Sequence, residues 1–353
     1  MLYFVSLYYK KSVYTGANKR FDELGKAYVR LLGDNFKIIV CEGEKPRWAP
    51  PDSCIFVPSY SNAVQRIHSH YQLTKILRSL KAGCVISDFM PIPFHGLKMH
   101  RHFQLIYDLR NFTQFRRGGL SILTSQFQRR QLSRSENIIT ISEYSRNDLV
   151  SKCAIPKSKI LVSYCGISPE YISKPSNTTK TIDILYVASF EPRKNHIGLL
   201  KALAMSPNGL RVRFIGRDLG TQNQVRELAS DLNRKKGFAI EIIESLSEVE
   251  LRKSYDSSKL YVFPSALEGF GMPLIEAMAR NCRIACSDLE VFRELCADRA
   301  KYFDPNSPAG MWCTIESELH DKTPVNNSDF VQTFLWQRIA NDLLRHLTTN
   351  KKQ

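Results

Sequence analysis

Nowhere in the 353 residues is there a run of about eighteen apolar residues, so no membrane-spanning helix is expected. The stretch from Met1 to Tyr9 is apolar but short, has no basic residue ahead of it and meets Lys10-Lys11 instead of a small-residue cleavage site. It reads as a first strand rather than a signal peptide. The nine cysteines, an odd number, form no C-x-x-C pair. Cys54, Cys84, Cys153 and Cys286 lie among apolar neighbours and read as small core residues of a protein in a reducing, cytoplasmic compartment. G-x-G-x-x-G is absent, so a dinucleotide site is not supported. No D-x-D pair offers carboxylates to a divalent ion, and no metal or other cofactor is expected.

Acidic residues are scarce in one half only. Residues 1–175 hold 26 Lys and Arg against 12 Asp and Glu, and the remainder holds 24 against 22, so nearly all of the +16 net charge is N-terminal. Such asymmetry implies that the first half meets an anionic partner: nucleic acid, or a membrane leaflet carrying anionic lipids and diphosphate-linked intermediates. A merely solvating basic surface is the plain alternative. The cations are spread out and no nucleic-acid motif accompanies them, which speaks against nucleic acid. With 43% apolar and 24% charged residues the composition is that of a soluble globular protein, and the length implies two domains.

The most informative stretch runs from Glu268 to Ala279. Before it, Leu260 to Ser265 is an apolar run with aromatic and β-branched residues, closed by Pro264, which reads as a buried strand entering a turn. The turn carries Glu268, Gly269, Phe270 and Gly271. Pro273 stands where a helix begins, and Leu274, Ile275, Ala277 and Met278 continue a helical pattern with Glu276 in its first turn. Unpaired N–H groups and the positive end of the helix dipole suit an anionic or polyhydroxylated ligand there. Two carboxylates bracketing the loop accept paired hydrogen bonds from neighbouring hydroxyls, as a sugar or ribose presents. Taken singly, Glu276 could only complement the dipole and Glu268 be a solvated loop acid.

The spacing E-x-F-G-x-x-x-x-E behind a strand ending in Pro-Ser resembles the donor-site signature of the retaining, nucleotide-sugar-dependent glycosyltransferases of the two-Rossmann-domain (GT-B) type, often called family 4. Further segments carry the resemblance. Ser189 to His196, with Arg193 and Lys194 adjacent, is similar to the family's phosphate loop, although Ala188-Ser189 stands where many members have Gly-Arg; Arg193 is then the replacement charge. Between a strand end and a helix start two such cations make a diphosphate clamp, Arg binding bidentately and Lys as a point charge. Thr140 to Leu149 resembles "T-x-S-x-x-S-x-x-D-L", and Tyr164-Cys165-Gly166-Ile167 resembles "x-N-G-V" with Cys165 replacing Asn. Where the family often has His-Asp at a strand end this chain has Tyr107-Asp108, leaving Tyr107 or Asp108 to meet donor or acceptor hydroxyls. Asn281 stands where the family usually has Gly.

Elsewhere the pattern is strand, small-residue turn, helix. Tyr14 to Arg20 leads into Phe21, Leu24, Ala27, Tyr28, Leu31 and Leu32 at helical spacing. The family's corresponding turn touches the donor, which makes Gly16 a candidate; a plain turn glycine is the alternative. Strands are expected at 37–40, 53–58, 84–88, 103–106, 138–141, 182–188, 212–216, 239–243 and 284–287, with a helix around 63–80 and a capping box at Ser247 and Glu250. Asp88 and His95 are further strand-end candidates. Residues 110–134 interleave Arg110, Arg116, Arg117, Arg129, Arg130 and Arg134 with apolar residues, as a membrane-surface segment or as an ordinary packed helix with a basic face.

The fold implied is α/β: two Rossmann-like domains, residues 1–172 binding the acceptor and 173–335 the nucleotide sugar, with a terminal helix, 336–353, returning to the first domain. Lys174 to Lys180 reads as the linker. The reaction implied is metal-independent transfer of a hexose, with retention, from a GDP- or UDP-hexose to a glycan or lipid-linked acceptor at an anionic membrane surface. Glu268, Asp108 and Tyr107 are the catalytic candidates, and Arg193, Lys194, Glu276, Gly269, Phe270, Gly271 and Gly16 would hold the donor. The Glu191 to Asn195 loop looks like those of bacterial polysaccharide mannosyltransferases, which implies GDP-mannose or a related donor. A nucleotide-sugar epimerase on the same fold, a basic nucleic-acid-binding protein and an inactive scaffold are the alternatives.

Overall fold

The computed structural model describes residues 1–12, 15–88, 99–108, 132, 135–172 and 178–349. The arginines of 110–134, His95, Tyr14 and most of the Lys174–Lys180 segment lie outside the described residues. The chain divides into two compact units, Met1–Gly166 with Trp336–Gln353, and Ile167–Leu335.

In the first unit the elements alternate: β1 (Leu2–Ser6), α1 (Gly16–Leu32), β2 (Phe36–Cys41), β3 (Cys54–Val57), α2 (Ala63–Ser79), β4 (Gly83–Asp88), β5 (His100–Ile106), β6 (Asn137–Thr140), α3 (Glu143–Cys153) and β7 (Ile160–Val162). The strands form a seven-stranded parallel sheet in the order β3-β2-β1-β4-β5-β6-β7. Every residue of β1 is buried, as a central parallel strand covered on both faces requires. That is why β1 reads as a continuous apolar run rather than an alternating one. Ser142 caps α3, accepting from Ser145 N at 3.0 Å.

The second unit repeats the scheme: β8 (Ile182–Val187), α4 (His196–Leu203), β9 (Arg211–Ile215), α5 (Gln222–Lys236), β10 (Ala239–Ile243), α6 (Glu248–Asp256), β11 (Ser258–Phe263), α7 (Met272–Ala279), β12 (Arg283–Ser287), α8 (Glu290–Cys296), β13 (Lys301–Phe303), α9 (Pro308–His320) and α10 (Ser328–Val331). Its six-stranded parallel sheet has the order β10-β9-β8-β11-β12-β13. Both sheets are thus doubly wound, with strand order reversing between β1 and β4 and between β8 and β11, where open sheets of this kind place their ligands. The capping box at Ser247 and Glu250 opens α6. The terminal helix α11 (Trp336–Thr349) belongs to the first unit and packs on α1. Asn281 takes up φ +52°, a left-handed conformation that Gly or Asn tolerates.

Several expectations need correcting. Gly16 is the first residue of α1, not a turn residue: Thr15 caps the helix, accepting from Asn18 N at 3.1 Å. Helix α7 starts one residue earlier than Pro273, because Gly271 at φ +122° forms its N-cap; Glu276 therefore falls in the second turn, not the first. Of the four cysteines expected in the core, Cys286 is buried, whereas Cys54, Cys84 and Cys153 are half-buried. Before α11 the helical spacing of apolar residues that begins at Phe330 is interrupted: a 3-10 turn at Gln332–Phe334 and an extended Leu335 separate α10 from α11.

Candidate active site

In the second unit the loops leaving β8 and β11 meet at the strand-order reversal. After β8 the chain passes Ala188 to Glu191 into a 3-10 turn, Pro192–Lys194, and Asn195 in the left-handed region starts α4. The β11 loop is sewn to that turn: Ala266 N donates to Arg193 O at 2.8 Å, and Tyr186 Oη, from β8, donates to Lys194 O at 2.7 Å while lying 3.3 Å from Ser265 Oγ. Gly271 closes the loop. Its φ is positive, and a Cβ there would lie 3.2 Å from both Leu274 and Phe292, so no side chain fits at this position without strain.

Within this frame two cations and two carboxylates converge. Arg193 Nη1 donates to Glu268 Oε2 at 3.0 Å and to Leu267 O at 3.1 Å, and its Nη2 donates to Glu191 Oε1 at 2.6 Å. Lys194 Nζ is bonded to Glu268 Oε1, and Ser189 Oγ donates to Glu191 Oε1 at 2.9 Å. The Lys194 ammonium also lies 5.6 Å from the Phe263 ring centroid. Burial opposes charge on Glu268, but Lys194 and Arg193 more than offset it and hold the carboxyl below its usual range. For Lys194 burial wins, with Arg193 adding to it against the pull of Glu268, and the ammonium pKa is lowered. Arg193 Nε is buried with no acceptor among the described residues. The cluster therefore pairs two cations with two carboxylates and leaves one buried donor, Arg193 Nε, unpartnered among the described residues.

Glu276 lies on α7. Its side chain is 6% exposed, and the Oη of buried Tyr255, on α6, donates to its Oε2 at 3.0 Å. Phe270 is buried; Gly269 is half-exposed beside it. At the far end of α7, Arg280 pairs with Asp256 through two bonds of 2.7 Å, both side chains buried, and donates to Tyr171 O at 3.0 Å. His196, which opens α4, lies between the rings of Tyr186 and Phe190 at 4.5 Å from each, with neither ring nitrogen partnered among the described residues. Burial pushes its pKa down to about 3, with Lys194 adding to the shift.

In the first unit the reversal point carries Asp88 and Ser6, at the ends of β4 and β1 and one residue beyond the paired Val5 and Ser87. Ser6 Oγ donates to Asp88 Oδ2. Burial raises the Asp88 carboxyl to about 7 despite that bond. Tyr107, just past β5, reaches Ala17 O with its hydroxyl at 3.5 Å, so Tyr107 and the Gly16 end of α1 are neighbours; burial drives its phenol pKa upward. Asp108 follows, half-exposed. Arg20, 1% exposed on α1, donates to Ser163 Oγ at 2.9 Å and to Tyr164 O, fixing the segment after β7.

The structure thus unites Arg193, Lys194, Glu268 and the Gly269–Gly271 loop, and separately Tyr107 with the Gly16 end of α1. Sequence reasoning did not single out Tyr186, Tyr255, Ser6 or Arg20, and named Glu191 only as the start of its loop. The one available signal was for Arg20, a cation at the edge of the apolar stripe begun by Phe21 and Leu24. Among the described residues no group of three or more His, Cys, Asp or Glu is placed to hold a metal ion, and no helix is long and apolar enough to cross a membrane.

Residues 14–171 match the family described as Glycosyltransferase Family 4, and residues 168–328 match Glycosyl transferases group 1. The chain is 26% identical over 203 residues to O-antigen chain mannosyltransferase B of Escherichia coli, covering 54% of this chain and 53% of that protein. It is 26% identical over 176 residues to the O-antigen chain mannosyltransferase RfbU of Salmonella typhimurium, covering 50% and 48% respectively. The chain spans about half the length of these curated relatives. Among solved structures, sucrose-phosphate synthase from Thermosynechococcus elongatus aligns over 98% of both chains at 16% identity with a TM-score of 0.77. Anabaena HepE, in complex with UDP and glucose, aligns over 99% of both at 13% identity with a TM-score of 0.75. At those identities the likeness to the solved structures is one of fold.

Proposed function

Because the chain belongs to the family 4 type of glycosyltransferase with the GT-B fold, whose two family descriptions together span residues 14–328, we propose that it transfers a hexose, mannose first among the candidates, from a GDP- or UDP-linked donor to a glycan or lipid-linked acceptor in the assembly of a bacterial surface polysaccharide. The observation that carries this reading is the quartet of Arg193, Lys194, Glu268 and Glu191 at the reversal point of the second sheet. Arg193 and Lys194 bind the diphosphate and take up the negative charge that grows on it as the sugar leaves, which fixed cations in a poorly solvated site do without reorganising. Glu268, released from them by the phosphates, turns to the sugar hydroxyls. Glu276 accepts from the ribose hydroxyls with Tyr255 fixing its second oxygen. The cations fill the role a divalent ion would otherwise have, so the reaction proceeds without metal; retention at the anomeric carbon is what the family resemblance implies. Asp108 and Tyr107 serve the acceptor or sugar from the first unit.

The relatives named above are mannosyltransferases of O-antigen chains, which favours sugar transfer over an epimerase or a nucleic-acid-binding role. The protein works in the cytoplasm, at the inner face of the plasma membrane. A thermal-shift panel of nucleotides and nucleotide sugars tests the reading: a ligand at a hundred times its dissociation constant stabilises by about 2.7 kcal/mol. GDP-mannose or a related donor is expected to raise the melting temperature, and labelled sugar from it to appear on a lipid-linked oligosaccharide acceptor. Failure of every nucleoside diphosphate and nucleotide sugar to stabilise the protein would refute the assignment.

A further inference from the structure

Helix α2 is two-sided in an unusual way. Leu73 and Leu77 are buried in the core beneath β1, β2 and β4, with Ile76 packed against them, and Ser69 donates to Pro58 O at 2.6 Å. That side is an ordinary core contact. The opposite side presents Val64, Ile67 and Tyr71 to solvent at 77%, 69% and 66% exposure, three of the most exposed large apolar side chains among the described residues. Their i, i+3, i+7 spacing sets them in one stripe, and Lys75 and Arg78 continue the same exposed face toward the helix C-terminus. The helix contains no Asp or Glu. Exposed apolar residues occurring singly need no explanation, but a contiguous stripe does.

We propose that this outer face of α2 is a membrane-docking surface: Val64, Ile67 and Tyr71 enter the boundary between headgroups and acyl chains, while Lys75 and Arg78 meet anionic headgroups. The assignment rests on the reading of a membrane-surface enzyme given above, and it places the contact on an element outside the arginine-rich 110–134 stretch. Charge complementarity selects the occupant. An acid-free helix sits in a half-chain with 26 cations against 12 acids, and basic amphipathic faces of this composition bind anionic bilayers by combining apolar insertion with electrostatic attraction. A second copy of the same face would oppose cation to cation at Lys75 and Arg78.

The test is cosedimentation of the full chain with vesicles of phosphatidylglycerol and phosphatidylcholine, against vesicles of phosphatidylcholine alone. Wild type is expected to bind the anionic vesicles, less so as salt is raised, and the triple change Val64→Ser, Ile67→Ser, Tyr71→Ser to weaken binding at least tenfold. Lys75→Gln with Arg78→Gln is expected to erase the preference for anionic lipid. Because all five side chains are exposed, melting temperature and transfer to a water-soluble acceptor should stay as in wild type. A separate Tyr71→Trp variant should show a blue-shifted emission on adding anionic vesicles. If the triple variant binds as wild type does, α2 is not the docking element, although the membrane-surface reading survives. If wild type binds no vesicle, both fall. If wild type self-associates without lipid and the triple variant is monomeric, the face belongs to a second copy and the proposal is overturned.

Discussion

Replacing Glu268 by Gln removes one negative charge from the quartet while keeping its volume and one carbonyl acceptor. In the native arrangement Glu268 bridges Lys194 and Arg193, with side-chain exposures of 10% for Glu268, 12% for Lys194 and 20% for Arg193. Removing one partner of a buried pair costs about 3–5 kcal/mol. Partial solvent contact, the surviving Glu191 bond and the retained carbonyl place this variant at or below about 3 kcal/mol. The two cations are left with less neutralising charge, and a nucleoside diphosphate no longer has to displace a carboxylate from them. Its affinity for GDP or UDP should therefore equal or exceed that of wild type, even as the unliganded protein melts earlier. If Glu268 grips the sugar hydroxyls more tightly as the bond breaks, transfer at saturating donor slows at least tenfold, which is about 1.4 kcal/mol of barrier. Calorimetric titration with nucleoside diphosphate, denaturant unfolding and single-turnover transfer measure the three quantities separately. Loss of nucleotide affinity, or undiminished transfer, would refute the division of labour between Glu268 and the cations.

Four further outcomes follow from the same geometry. Lys194→Ala is expected to weaken donor binding by roughly 1.5–3 kcal/mol, the worth of a charge-assisted bond, and to slow transfer; unchanged donor affinity in titration would remove Lys194 from the clamp. Glu276→Ala should weaken nucleoside diphosphate and nucleotide sugar equally, because both carry the ribose, so a selective loss for the sugar would contradict the ribose role. His196, held neutral by burial with its pKa down at about 3, favours folding less as pH falls below the unfolded value of about 6.5, at up to about 1.4 kcal/mol per pH unit; His196→Phe should abolish that part of the acid-side loss in paired unfolding curves at pH 7 and pH 5. Arg280→Ala strands the buried Asp256 carboxylate and should cost about 3–5 kcal/mol in denaturant unfolding, with nucleotide affinity of the folded fraction unchanged.

How much of this was legible follows from what each feature depends on. The central strands were readable because parallel strands covered on both faces are apolar runs, as the fully buried β1 shows, whereas the three-residue edge strands β7 and β13 were not expected, being too short to carry such a run. Arg193, Lys194 and Glu268 were legible as types of residue at loop positions. Their union was not, because it joins positions 75 and 74 residues apart and exists only once β8 and β11 are neighbours in the sheet. The misplacement of Glu276 has a local cause: a glycine N-cap at φ +122° lets the helix begin at Met272, which puts Glu276 in the second turn, where its carboxylate accepts from Tyr255 Oη.

The break before the terminal helix marks the other limit. Apolar spacing runs unbroken from Phe330 to Leu347, with neither Pro nor Gly to interrupt it, yet Leu335 is extended at ψ 131°. The reason is non-local: Ile167 forms a parallel bridge with Leu335, and its N–H donates to Phe334 O at 2.7 Å. Ile167 and Leu335 are also the first and last residues of the second unit. Both chain crossings out of that unit are thus tied together at one point, and the hydrogen bond that ties them requires the extended backbone which ends the helical run. Periodicity reports which face of a segment meets a core. It carries no information about where a backbone must leave the helix to bridge to a residue more than 160 positions away.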